Sequence, residues 1–202
     1  MAGGMKEVGV SAAETINCQA YDGFNSGAAT LTSADGQYIF DTNHVKLDGT
    51  TYSNDYTASS LSLDSLQDDV AAYEALTDHR GKYINRVGGV QWVLANPALE
   101  WKLAEIFNSI MNPETANNAI NALKKARPGL KFFTTPYITS TTARYYIGEK
   151  DEARGMVWFS RKAPTFAREG DFETGDVRFK VTARFSGSGA VDPMNIALNA
   201  GA

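Results

Sequence analysis

The chain is short of the residues that carry redox and metal chemistry. Cys18 is the only cysteine in 202 residues, and His44 and His79 are the only histidines. One cysteine cannot close an internal disulfide, so nothing points to a secreted, disulfide-built scaffold. A zinc site would want more His or Cys ligands. No apolar run approaches the ~20 residues of a membrane-spanning helix. The start, Met1 to Glu7, has no apolar segment of the signal-peptide kind, and a soluble cytoplasmic product is the expectation. Basic residues are not in excess: 19 Lys and Arg stand against 23 Asp and Glu, a net charge of −4. That balance argues against a general nucleic-acid-binding surface, which would want a basic stripe. G-x-S-x-G, Walker A and G-x-G-x-x-G are all absent.

What is present is ordinary for a globular protein, 43% hydrophobic and 21% charged. A chain this long makes one large domain or two small ones and buries about 70% of its unfolded surface. The clearest pattern is in the last third. Val177, Phe179, Val181, Ala183 and Phe185 alternate with Arg178, Lys180, Thr182 and Arg184. A period of two predicts a long strand with its apolar face on a core and its charged face wet. Phe179, Val181 and Phe185 are therefore expected to be buried. Met156–Ser160 is a shorter apolar run placed to lie beside this strand. The segment between, with Pro164, Gly170 and Gly175, predicts a long connection.

Earlier in the chain, Lys6–Phe24 predicts an amphipathic helix through Val10, Ala13, Ile16 or Asn17, Ala20 and Phe24, stopped by Gly23 and Gly27. Asp35-Gly36 and Asp48-Gly49 are turn signals that flank a short strand at Tyr38-Ile39-Phe40. Residues 41–60 predict a long, ordered surface loop. Leu63, Leu66, Val70, Tyr73 and Leu76 make a helix stripe with Ser62 as N-cap and Asp64 in the first turn. Gly81 would end it. Val90–Ala95 predicts a buried strand. Asn96-Pro97 then caps a helix to Ile110, with Leu99, Leu103, Phe107 and Ile110 inward, broken by Pro113. A weaker helix is expected over Glu114–Ala126, and strands over Lys131–Ile138 and Arg144–Ile147. Helices followed by strands point to an α+β fold.

Few residues could carry chemistry. His44 with Asp41 and Asp48 would be an acid–base or metal site, but the spacing is not that of an EF-hand, and no second histidine lies near. The plainer reading is a histidine that hydrogen-bonds a loop. His79 reads as a cation near a helix C-terminus, and Cys18 as a small packed residue. Lys124-Lys125-Ala126-Arg127 reads as a solvated basic helix end, and Gly187-Ser188-Gly189 as a turn. No residue is assigned a catalytic, cofactor-binding or metal role, and no cofactor is expected.

Three stretches resemble the major capsid proteins of tailed bacteriophages, most closely the Mu-like prophage major head subunit family. The first is Asp35-Gly36-Gln37-Tyr38-Ile39-Phe40-Asp41-Thr42-Asn43-His44, with Asp48-Gly49 and Ser53-Asn54 after it. The second is Val93 to Glu100, with its Asn96-Pro97-Ala98-Leu99-Glu100 step. The third is Pro136 to Tyr146, followed by Arg161 to Phe185. Their order and spacing match over nearly the whole chain.

The resemblance implies the Hong Kong ninety-seven-type capsid fold, with a spine helix, a peripheral β-sheet and an axial α/β domain. It places residues 1–59 and 151–202 in the peripheral domain, and 60–150 in the axial domain. It implies a non-enzymatic subunit of an icosahedral phage or prophage shell, assembled in the bacterial cytoplasm and found in the virion. Partners would be other copies of itself in hexamers and pentamers, with scaffold, protease and portal proteins, around DNA held without sequence-specific binding. Family members carry an N-terminal arm and extended loop before the spine helix. The expectation is thus an incomplete subunit that folds yet stays a monomer or small oligomer. The alternatives are an encapsulin-like nanocompartment shell, a small hydrolase using His44 with nearby carboxylates, or a ligand-binding module centred on loop 41–60.

Overall fold

A computed structural model of the chain describes residues 2–84, 89–114, 119–140, 144–150 and 155–202. Helix α1 covers Ala2–Ser26. Three two-residue strands follow: β1 (His44–Val45), β2 (Thr51–Tyr52) and β3 (Asp55–Tyr56). Helix α2 is Leu63–Glu74 and strand β4 is Trp92–Ala95. A 3₁₀ turn at Pro97–Leu99 leads into α3 (Glu100–Asn108), and α4 is Ala122–Ala126. Strands β5 (Lys131–Thr134), β6 (Tyr145–Gly148), β7 (Met156–Val157), β8 (Ser160–Gly170), β9 (Val177–Phe185), β10 (Gly189–Ala190) and β11 (Ile196–Asn199) complete it.

The main sheet has five strands in the order β3-β11-β6-β4-β5. β4 and β5 run parallel, joined through α3 and α4, so one crossover unit sits inside the α+β fold. β6 is antiparallel to both β4 and β11. Helices or loops cover both faces of this sheet. Val93, Ala95, Tyr145, Ile147 and Ala197 pack with Leu63, Leu66, Tyr73, Leu103 and Ile106 of the helices on one face. Leu94, Tyr146, Ile196 and Leu198 pack with Phe24, Ile39 and Phe40 on the other. Adjacent Tyr145 and Tyr146 thus point into opposite cores, as the two-residue period of a strand requires. Gly148 sits where Trp92 crosses the sheet: a Cβ there would lie 2.3 Å from the indole.

Local signals hold best where a side chain terminates an element. Ser62 Oγ accepts the Ser65 amide, and Ser65 Oγ accepts the Ser62 amide, a reciprocal cap for α2. Leu63, Leu66, Val70 and Tyr73 are its buried face, as the stripe predicts. Asn96 Oδ1 accepts the Ala98 amide ahead of α3, with Pro97 at the first helical position. But α3 stops at Asn108, so Ile110 is exposed and Ile106 is buried in its place. The helix expected over Glu114–Ala126 shrinks to Ala122–Ala126. Ile120 instead bridges Met111, and Asn121 caps the helix by accepting the Lys124 amide; residues 115–118 of that expectation lie outside the described residues.

α1 is longer than its periodicity predicts, and it presents a different stripe. Val10 and Ala13 are exposed, whereas Gly4, Val8, Ala12, Ile16, Ala20 and Phe24 are partly or fully covered. A step of four advances about 40° beyond a full turn. The contact line therefore winds around the helix, from the β8–β9 pair at its start to the sheet at its end. Gly23 does not stop α1. It is the point where Ser188 Oγ accepts the Gly23 amide at 2.6 Å and donates to the Gln19 carbonyl at 3.2 Å. A Cβ at Gly23 would meet Met156 at 2.0 Å. The expected turn at Gly187-Ser188-Gly189 is instead the approach to β10, which starts at Gly189, and Ser188 clamps the helix there.

The last third departs most from expectation. β9 forms over Val177–Phe185, but its partner is the segment 160–170, itself an 11-residue strand. The pair makes an isolated two-stranded ribbon. Pro164 is tolerated because β8 has a free edge and register shifts at 160/162 and 162/165. Met156-Val157 pairs with Gly189-Ala190 instead of β9. Phe179, Val181 and Phe185 are only half-buried, and the face they share lies on α1, where a Cβ at Gly4 would be 3.3 Å from Phe179. The apolar set does not reach either core.

Candidate functional site

Residues 35–56 hold a buried polar cluster, and its centre is His44. The segment 41–60 is no plain surface loop: β1 and β2 form a hairpin, and β3 joins the main sheet beside β11. The expected strand at 38–40 is absent; Tyr38 only bridges Thr32, while Ile39 and Phe40 enter the core.

His44 is fully buried, at 0% exposure. Its Nδ1 lies 2.6 Å from Asp35 Oδ2, and its Nε2 lies 3.1 Å from Asn54 Oδ1. Asn54 donates from Nδ2 to the carbonyls of Ile39 and Pro193, at 2.8 and 2.9 Å, which fixes Oδ1 as the acceptor. That oxygen also accepts the Asp41 amide at 2.9 Å. His44 Nε2 therefore donates to Asn54 Oδ1, and Nδ1 is hydrogen-bonded to the Asp35 carboxyl. Tyr52 stacks on the imidazole with centroids 5.0 Å apart, and burial holds the Tyr52 hydroxyl well above its usual range. Both ring nitrogens are committed to Asp35 and Asn54, and the ring is enclosed by protein.

Asp41 and Asp48, the carboxylates that sequence spacing set beside His44, are elsewhere. Asp41 Oδ1 accepts the Asn43 amide; Asp48 Oδ1 accepts from Thr50, which holds its carboxyl below the usual range. The partner is Asp35, legible only as the first residue of a turn. Among the described residues no group of three or more His, Cys, Asp or Glu could hold a metal, and no helix is long and apolar enough to cross a membrane.

The other candidates also settle into structural positions. His79 lies in the 78–82 turn, five residues beyond the end of α2, and does not cap it. Cys18 is exposed on α1, not packed. Arg127 is ion-paired with Glu74, and Lys124 donates to the Asn108 carbonyl at 2.7 Å, so the basic end of α4 ties helices together.

A second buried network escaped sequence reasoning. Tyr145 Oη and Asn199 Nδ2 both donate to Asp69 Oδ2, the latter at 2.8 Å. Burial raises the Asp69 carboxyl above its ordinary value of 3.8 against the pull of those two donors, and raises the Tyr145 hydroxyl further. Asp69 borders an open cleft of about 430 Å³ with Asp68, Ser59, Ser65 and Tyr56. Among the described residues its lining holds hydroxyls and carboxylates and no histidine, cysteine or lysine. The network ties α2 to β6 and β11. The only sequence signal for it was an Asp on the buried side of the α2 stripe.

Large apolar side chains lie on the surface instead. Trp101, Ile110 and Phe133 are exposed around α3 and β5, and Phe159, Phe166 and Phe172 along the ribbon.

The sequence matches the family described as phage capsid protein over residues 2–199. Among solved structures, the capsid of Myoviridae phage XM1 aligns with a TM-score of 0.53 at 13% identity, over 81% of this chain and 59% of that one. A virus-like particle from Pyrococcus furiosus aligns with a TM-score of 0.42 at 18% identity, over 72% of this chain and 56% of that one. The chain therefore spans under two thirds of the length of either. No curated protein matches it. The first alignment shows a shared mixed helix-and-sheet fold, and with the family match running from the first helix to the last strand, the chain belongs to the phage capsid protein family.

Proposed function

We propose that this chain is a structural subunit of an icosahedral phage or prophage shell, which self-assembles around double-stranded DNA and performs no chemistry. The observation that carries the reading is the family match over 2–199. The buried, hydrogen-bonded His44 and the exposed apolar side chains accord with it, as does an acidic balance that leaves packaged DNA loosely held. Within the family, the Mu-like head subunit type with a Hong Kong ninety-seven-type fold is the finer assignment, supported by the three ordered motifs. In it α1 is the spine helix, β8 and β9 belong to the peripheral domain with residues 1–59 and 151–202, and 60–150 supply most of the axial domain. Strands β3 and β11 would extend the axial sheet from the flanking segments. Hexamers and pentamers of the chain are the primary partners, scaffold, protease and portal proteins the secondary ones. Assembly takes place in the bacterial cytoplasm and the product resides in the virion.

Negative-stain microscopy and light scattering on the purified chain at rising concentration test the reading. Rings, lattices or small regular oligomers are expected. A strict monomer at every concentration overturns it.

A further inference from the structure

The tip turn and the base of the β8–β9 ribbon carry opposite charge, with Arg168, Glu169, Arg178 and Lys180 along the ribbon between them. Its tip, the turn 171–176, carries Asp171, Glu173 and Asp176 around Phe172, whose side chain is 101% exposed and touches nothing. Its base carries Arg161, Lys162 and Arg184. Among the described residues none of these six charged side chains forms an ion pair. At the base, Phe159, Phe185 and Ala183 floor an open groove of about 610 Å³ flanked by Arg161 and Arg184. Phe159 is 65% exposed there.

We propose that the ribbon docks head to tail on a second copy of this chain, with Phe172 seated in the Phe159–Phe185 groove of the neighbour. The two ends are chemical complements: an aromatic ring among carboxylates, and an aromatic groove between guanidinium groups. They cannot meet within one molecule. Nine residues of β9 at about 3.3 Å each hold tip and base roughly 30 Å apart. A different copy must supply the tip. The contact joins unlike surfaces, so it propagates from subunit to subunit and closes into a ring or sheet according to the rotation between copies. Phe172 supplies the desolvated anchor, and the charges around it supply register and encounter rate. Exposed charge pairs are screened by salt, so the association weakens as ionic strength rises. The surface deepens the shell-subunit reading and rests on it.

Sedimentation velocity on the full chain tests the dock. Wild-type protein should associate with rising concentration, more strongly at low salt. Phe172→Ala should weaken association at least ~10-fold, which corresponds to about 1.4 kcal/mol, at an unchanged thermal midpoint. Arg161→Glu with Arg184→Glu should weaken it similarly, as should Glu173→Arg with Asp176→Arg. Mixing these two charge-reversed proteins should restore association that neither shows alone, since each then offers the other a matching end. If wild type and Phe172→Ala form the same oligomers, or the mixture fails to associate while wild type does, the dock is wrong and the shell reading stands. If wild type never associates, both are overturned.

Discussion

The main sheet and the β8–β9 ribbon are both built of paired strands and end in opposite states. The sheet strands carry Tyr, Phe, Ile, Leu and Val, whereas the ribbon sets Phe and Val among Arg and Lys. In the sheet, β6 and β11 are buried along their whole length, because α2, α3 and α4 cover one face and the end of α1 with residues 31–40 covers the other. In the ribbon, β8 is exposed at every position and β9 has only the start of α1 beneath it. The textures in sequence differ accordingly. A strand covered on both faces reads as an unbroken apolar run, such as Tyr145-Tyr146-Ile147, whereas one covered on a single face alternates. Alternation names the inward face of β9, but not the depth of what it meets. Within one chain the sheet therefore carries stability, and the ribbon is left with exposed apolar surface.

Substitutions can break that comparison. The largest effect belongs to the two-sided core: Leu103→Ala should destabilise by about 3–5 kcal/mol in urea denaturation. A loss under 1 kcal/mol would mean that the core can collapse around the gap. His44→Ala comes next, at about 2–4 kcal/mol, because Asp35 and Asn54 each lose a buried partner. Hydrogen exchange should quicken across residues 35–56 and leave the ribbon unchanged; protection lost in the ribbon would show that the two regions are one cooperative unit.

Asp69→Ala should cost about 1–3 kcal/mol by removing the acceptor of the Tyr145 hydroxyl and one of the three acceptors of Asn199 Nδ2. Its titration sharpens the point. The folded-state value of Asp69 is raised, so the native state binds more protons than the unfolded chain just above pH 3.8. Its contribution is complete below that pH and is lost as pH rises through the raised folded value. Asp69→Asn should remove this fall from the stability–pH curve; identical curves for the two proteins would count against a buried, raised carboxyl.

The ribbon should respond less. Phe179→Ala is expected to cost about 1–2 kcal/mol, as its side chain is only half-buried. A cost near that of Leu103 would mean that the ribbon belongs to the core. Lys180→Ala on the wet face should fall within about 0.5 kcal/mol of wild type in thermal melts.

The family and the α+β class were legible in the sequence, as were α2 with its Ser62 cap, β4, the Asn96-Pro97 entry to α3, and the inward face of β9. Each is written in neighbouring residues: a cap needs a side chain three positions away, and a strand face needs only its own alternation. Local chemistry also told that His44 orders a loop.

Contacts between residues far apart in sequence were decided by the tertiary structure alone. Ile196–Asn199 carries no strand signal of its own, yet it sits between β3 and β6 because two apolar faces are there to receive it. Segment 160–170, with a proline and four charged residues, becomes a strand because β9 offers its backbone as partner. His44 meets Asp35 and not Asp41 or Asp48, because the fold of residues 35–56 carries the turn back over the ring. The sequence by itself determined what each short segment can be, since propensity and capping act over a few residues. Which segments meet, and how deeply each is covered, only the packed structure decided, because burial depends on every other element arriving at the same place.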